Sequence, residues 1–304
     1  MNQKKHLESN KIFKSNKMTI PFYIVDVFTE KKYAGNQLAV FFDADDLTTS
    51  QMQEITREIN FAESTFVTAL DIEGKEASVR IFTPASEMKF AGHPVLGTSW
   101  VILNKIWNSA IQNITLNVPV GPIPVQEVNN QLWLKAAQPD FLDVFMKEDF
   151  ASFSNLSTTD FDVRFEVQEV TTGSAFVIVP LKSKKALEAV QIDKEKTTEW
   201  LNANCKTQHK ALYFFSLENE ELHTRMLCIE HNQIVEDAAT GSASTCLQAY
   251  LLKYYATKID MINHQGHSVG RPSQIYFDGT VLDNKYDVRI GGKVQFVAKG
   301  EWTV

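Results

Sequence analysis

Two stretches of this 304-residue chain place a glycine and a polar side chain at the start of a helix that is apolar on nearly every face. Phe90-Ala91-Gly92-His93-Pro94-Val95-Leu96-Gly97 runs on into Trp100, Val101, Ile102 and Leu103. Asp237-Ala238-Ala239-Thr240-Gly241-Ser242-Ala243-Ser244 runs on into Cys246, Leu247, Ala249, Tyr250, Leu251 and Leu252. A helix with no polar stripe is buried, and among many short strands it is buried by sheet wrapped round it. Two such helices predict an α+β fold of two similar halves, each a curved mixed sheet or half-barrel around one central helix. The first turn of a helix carries unpaired N–H groups and a partial positive charge. Two of these ends facing one cleft would hold a small carboxylate, since neither stretch offers a Gly-rich phosphate loop or a metal cluster.

The rest of the chain reads in the same two-fold way. Alternating, β-rich runs predict strands near Phe22–Phe28, Leu38–Phe42, Ser64–Leu70 and Ala77–Phe82, with an amphipathic helix over Ser50–Asn60. Three further strands precede Gln138-Pro139-Asp140, which reads as a domain boundary. Beyond it, strands at Phe165–Val170, Phe176–Val179, Ala211–Phe215 and Thr224–Cys228 lead to the second helix, and strands near 273–277, 288–290 and 294–297 close the chain. Residues 146–162 fit no clear pattern. The organisation expected is a disordered extension over 1–19, one domain over 20–137 and a second over 138–291. The segment of about 292–304 is expected to return to the first.

Composition narrows the partners. A formal net charge of −7 argues against a nucleic-acid or anionic-membrane surface, although a local pocket can still oppose it. Cys205, Cys228 and Cys246 are odd in number and share no CxxC spacing, which fits a reducing, cytoplasmic setting better than a disulfide framework or a zinc site. No apolar run approaches the roughly 20 residues that span a bilayer. His264 and His267 lack further ligands, so no metal is expected, and Gly241-Ser242 lies outside any GxSxG elbow.

Three residues stand out chemically, each with two readings. Glu63, between Phe61-Ala62 and Phe66-Val67, is either a solvated strand-end glutamate or a carboxyl whose apolar setting raises its pKa for proton transfer. His93 is either a core histidine bonded to backbone or a neutral imidazole presented to a substrate. Asp237 is either an N-cap or a group that orients a substrate. Arg271-Pro272-Ser273 reads as a structural turn whose arginine could reach a carboxylate.

Taken together, the motifs are similar to those of the PhzF-like (phenazine biosynthesis protein) family. They are Val25-Asp26-Val27-Phe28-Thr29, Ala34-Gly35-Asn36, Phe61-Ala62-Glu63-Ser64-Thr65-Phe66-Val67, Arg80-Ile81-Phe82-Thr83-Pro84, Phe90-Ala91-Gly92-His93-Pro94, Glu236-Asp237-Ala238-Ala239-Thr240-Gly241-Ser242-Ala243, Gln265-Gly266 and Gly270-Arg271-Pro272-Ser273. They occur in family order from about Pro21 onward; Gln37 and Ala238 stand where that family often has proline. The resemblance implies a diaminopimelate-epimerase-like fold, usually a homodimer, and an isomerase with neither metal nor organic cofactor acting on a small, possibly cyclic carboxylate. It implies Glu63 as the proton carrier, with His93 and Asp237 beside it in the catalytic set and Asn36, Gly92, Gly241 and Ser242 holding substrate. Two rivals stay open: a metabolite-binding protein on the same scaffold, and a racemase or epimerase using two thiols. The second is disfavoured because the helix mouths carry Ala91 and Ala239, while Cys246 lies about two turns into its helix.

Overall fold

The computed structural model describes residues 18–107, 111–205, 211–230 and 232–304. Residues 1–17 of the expected extension lie outside the described residues, and Thr19 already opens the first strand.

The two halves repeat one pairing scheme. In the first, Thr19–Val27 lies antiparallel to Asn36–Phe41, which runs parallel to Glu63–Asp71. The sheet continues antiparallel to Glu76–Phe82, parallel to Asn113–Val118, then antiparallel through Gly121–Val128 and Gln131–Lys135. The second half repeats that series of directions through Val167–Thr171, Ala175–Leu181, Ala211–Glu218, Glu221–Glu230, Lys258–Gln265, Ser273–Leu282 and Lys285–Gly292. Parallel neighbours need a crossover. The surface helix Thr49–Ile59 supplies one, and Lys184–Ala189 with Lys194–Asn204 supply its counterpart. The helices Gly92–Val101 and Gly241–Tyr254 supply the other two, each passing inside the curve of its own sheet.

Both central helices are buried almost throughout, as their lack of a polar face demands. Val95, Leu96 and Val101 pack among Val25, Leu38, Ile81 and Leu116; Cys246, Leu247 and Leu251 join Ile178, Phe215, Ile275 and Ile290 in the same continuous core. Each fully buried aliphatic side chain contributes roughly 1.5–3 kcal/mol relative to exposure. The first helix ends in a π-helical turn, Ile102–Ile106.

The halves are tied together twice. Gln131–Lys135 pairs antiparallel with Lys285–Gly292, making one continuous sheet. Each half also donates its last strand to the other: Asp140–Phe145 pairs with Val167–Thr171, and Val294–Thr303 pairs with Thr19–Val27. Residues 146–162 form a short helix, Lys147–Ser152, and a 3₁₀ turn, Thr158–Asp160. Phe150, Phe153, Leu156 and Phe161 of this segment cluster with Trp200 in a satellite core.

Three strands of five or more residues escape the pattern reading: Asp140–Phe145, Gln233–Asp237 and Lys258–Gln265. Gln233–Asp237 buries neither face. Lys258–Gln265 turns Asn263 and Gln265 inward beside Ile259, so polar residues stand where alternation would show apolar ones.

Candidate active site

The two central helices meet end to end. A Cβ added to Gly92 would lie 3.2 Å from Gly241 Cα and 3.4 Å from Ser242 N, and one added to Gly241 would lie 3.3 Å from Gly92 Cα. Only residues without side chains let the two backbones approach this closely. Ala91 and Thr240 occupy the N-cap positions, and neither side chain caps its helix. Two positive dipole ends therefore converge at the junction of the halves. Gly92→Ala is expected to push the mouths apart by a few tenths of an ångström. It should shift the amide resonances of Gly241 and Ser242 and weaken carboxylate binding on the order of tenfold, about 1.4 kcal/mol.

Glu63 begins the strand beside Asn36–Phe41, pairing with Leu38, and its carboxyl faces this junction. Its side chain is 15% exposed, and Oε2 lies 3.3 Å from Nε2 of the buried His93. Neither of those two buried atoms has a hydrogen-bond partner. Burial pushes the Glu63 carboxyl well above the ordinary carboxylate range, with the negative charges of Asp237 and Glu230 adding to it. Burial also drops His93 to about 3, so the imidazole is neutral at physiological pH. A protonatable carboxyl against a neutral imidazole can hand over or accept a proton.

Asp237 ends the strand Gln233–Asp237, opposite the first helix mouth. Its Oδ1 accepts from Asn36 Nδ2 at 2.8 Å and its Oδ2 from Thr240 Oγ1 at 2.6 Å. Burial raises this carboxyl to about 6, against the lowering effect of those donors. Asn36 Nδ2 also donates to Ala239 O at 3.0 Å and lies 3.3 Å from His93 Nδ1. An amide nitrogen has two protons. The two shorter contacts use both, so Asn36 clamps the second helix mouth to the first half through its nitrogen. Arg271 holds the loop leading to Asn36: Nη2 donates to Asp26 Oδ1 at 2.6 Å and Ala34 O at 2.9 Å, and Nε donates to Gly35 O at 2.7 Å. The carboxylate that this arginine reaches is the chain's own.

Glu63, His93, Asp237, Asn36, Gly92, Gly241 and Ser242 thus lie around one junction, with Ser242 partly exposed on the first turn of its helix. Asp237 is no N-cap; that position belongs to Thr240. Cys246 is buried, donating to Ser174 O at 3.3 Å, and burial lifts its thiol to about 11. No thiol stands at either N-cap, so the two-thiol arrangement is absent from the mouths. Pattern reading did not single out Tyr213 and Asn263, nor Thr240 and Gln265 beyond their places in motifs. Yet these four form a buried polar chain behind Asp237. Their signal was the intrusion of polar residues into otherwise core-facing strand positions.

Two uncapped helix ends meeting between wrapped sheets, with a raised carboxyl between them, define an epimerase-like α+β fold whose candidate site lies at the junction of its halves. Solved structures share this fold. The phenazine biosynthesis protein of Bacillus anthracis, of the PhzF family, superimposes with a TM-score of 0.83 at 26% identity, over 94% of this chain and all of that one. A hydroxyproline epimerase from Agrobacterium vitis shares the fold, with a TM-score of 0.61 at 8% identity. The profile of phenazine biosynthesis-like proteins matches residues 25–300, and the chain belongs to that family. It is 32% identical over 262 residues to the trans-2,3-dihydro-3-hydroxyanthranilate isomerase of Pseudomonas fluorescens, covering 84% of this chain and 88% of that one. It is also 29% identical over 284 residues to an isomerase of Pasteurella multocida, covering 92% and 93%. The chain is an isomerase. Among the described residues, no helix is long and apolar enough to cross a membrane.

Proposed function

We propose that the chain isomerises a small carboxylate, cyclic or with a comparable conjugated skeleton, by moving a proton between two carbons without metal or organic cofactor. The observation that carries this reading is the Glu63–His93 contact between two uncapped helix ends: a carboxyl able to exist in either protonation state, beside a site for an anion. The substrate carboxylate lies against the helix-mouth N–H groups, which disperse the charge that develops as the double bonds shift. Glu63 alternates between carboxyl and carboxylate, delivering one proton and recovering another, so protons balance over the cycle. His93 and Asp237 fix the ring or chain relative to Glu63. The relative from Pseudomonas fluorescens supports trans-2,3-dihydro-3-hydroxyanthranilate, an amino-substituted cyclohexadiene carboxylate, as the first compound to try. The protein is proposed to work as a cytoplasmic homodimer, and light scattering that returns only the monomer mass would remove that part.

The direct experiment follows deuterium from D₂O into that compound with chelator present. Exchange at carbon that survives chelation is the expected result. Binding of the compound without any exchange would favour a metabolite-binding role instead. Cys246→Ala and treatment with iodoacetamide are expected to leave exchange within about twofold, because a buried thiol of raised pKa carries little thiolate. A thiol-dependent racemisation predicts the opposite.

A further inference from the structure

Behind Asp237 the buried polar chain has a fixed direction, and backbone groups set it. Gln265 Oε1 meets the backbone N–H of Thr240 at 3.2 Å, and Gln265 Nε2 meets the backbone carbonyl of Asp237 at 2.9 Å. Turning the amide over would set donor against donor and acceptor against acceptor, so its orientation is settled. Nε2 therefore also donates to Thr240 Oγ1, at 2.9 Å. The Thr240 hydroxyl then has its single proton left for Asp237 Oδ2, 2.6 Å away. On the far side, Asn263 Nδ2 donates to the Tyr213 oxygen at 2.8 Å, and Tyr213 donates to Gln265 Oε1 at 2.9 Å. Gln265 Oε1 and Asn263 Oδ1 can only accept, so they take the single protons of Tyr213 and Thr224, the latter at 2.9 Å. Thr224 Oγ1 then lies beside the phenol, 3.1 Å away, without a proton between them, and Ser244 donates to the phenol at 2.9 Å. With Asn36 on Oδ1, Asp237 receives a donor on each oxygen.

We propose that Thr240, Gln265, Tyr213 and Asn263 are positioning residues whose one-way hydrogen bonds hold Asp237 as the carboxylate, leaving the transferable proton on Glu63 before substrate arrives. Every member of the chain passes a donor toward Asp237, and none accepts a proton from it. Glu63 Oε2 has no hydrogen-bond partner, since His93 Nε2, 3.3 Å away, does not form one with it. Of two buried carboxyls acting on one another, the one supplied with donors ionises first and the unsupplied one keeps its proton. Other ionisable groups face Asp237: Glu63 across the junction, Glu230 and Cys228 on the strand Glu221–Glu230, Tyr213 behind it, and His93 beyond Asn36. Asp237 and Glu230 both raise Glu63, reinforcing the same division.

This inference rests on the proton-transfer reading of the site, but its test needs no substrate. The carboxyl carbon of Asp237 is followed by ¹³C NMR in aspartate-labelled full-length protein between pH 4 and 9, assigned by its loss in Asp237→Asn. Thr240→Val keeps the shape of the side chain but removes the hydroxyl. It should raise the Asp237 midpoint by about one pH unit or more, a tenfold change in its ionisation constant. Thr240→Ser should restore the parent midpoint, and Gln265→Met should shift it upward by less than Thr240→Val. A purely structural role would alter thermal stability in all three variants without this ordering. A midpoint in folded Thr240→Val within about 0.2 units of the parent would overturn the proposal. So would a parent Asp237 that keeps its proton above pH 7 while Glu63, labelled in the same way, has lost its own.

Discussion

Glu63→Gln is expected to lower the rate of carbon-bound deuterium exchange by about 10²–10⁴-fold, the range typical of a positioned acid–base group. The same change should make the protein more resistant to heat at alkaline pH. Burial raises the folded-state pKa of Glu63 above its unfolded value near 4.5, so the folded chain binds the proton more tightly than the unfolded chain does. The stability from that proton is complete below the unfolded value and is lost as pH rises through the folded one. Glutamine keeps the shape without an ionisable group and escapes the loss. The melting temperature of Glu63→Gln should therefore match the parent near pH 4 and exceed it by a few degrees at pH 8. Differential scanning calorimetry at the two pH values checks this. A variant that melts lower at both would assign Glu63 a structural role, and one that exchanges deuterium at the parent rate would remove it from the mechanism.

Gly266→Ala is expected to be the most damaging single methyl group near the site. Gly266 follows the strand Lys258–Gln265 with φ +78°, and a Cβ there would lie 2.3 Å from Arg271 O and 2.4 Å from Ala238 O. Both obstacles are backbone, so no side-chain rotation relieves them. The left-handed conformation alone costs on the order of 1–3 kcal/mol for a residue other than glycine. Displacing the Ala238 segment would add to this and drag Asp237 and Thr240 out of register. A fall in melting temperature of about 10 °C or more follows, at roughly 2–4 °C per kcal/mol. Gly270 in the same loop has φ +70° but open space around its missing Cβ. Gly270→Ala should cost roughly 1 kcal/mol, and equal losses at both positions would show that the close approach at Gly266 contributes nothing.

The fold was most legible where burial is complete and uniform. The central helices announce themselves because nothing polar interrupts Trp100–Leu103, and in Cys246–Leu252 only Gln248, buried without a hydrogen-bond partner, and the Tyr250 hydroxyl depart from an apolar run. The helical patterns of the second half, roughly Lys184–Val190 and Lys194–Asn204, correspond to the crossover helices Lys184–Ala189 and Lys194–Asn204. Reading failed where function displaces the pattern. Asn263 and Gln265 occupy inward positions that would otherwise be aliphatic, so the strand that carries half of the polar chain had no strand signature. Likewise Glu63, His93 and Asp237 could be picked out as unusual residues beside apolar or helix-mouth segments. Asn36, read as a substrate contact, spends its amide nitrogen on Asp237 and Ala239, a clamp between residues 201 and 203 positions apart that no local pattern reveals.

The exchange of final strands sets a timetable for the chain as it is made. Thr19–Val27 leaves the ribosome long before Val294–Thr303, the strand that covers its outer edge. Closing so long a loop is slow, because the entropy of bringing distant segments together precedes any contact that offsets it. Throughout synthesis, the first sheet presents Ile20, Phe22 and Val25 along an unpaired edge, the arrangement most open to pairing with another chain. The neighbouring Phe41 and Phe66 lack the cover of Trp302 in the same interval. Nascent chains crowded on one message are thus most exposed to misassembly at their earliest strand, and a cell that makes this protein quickly has reason to keep that edge guarded until the last strand arrives.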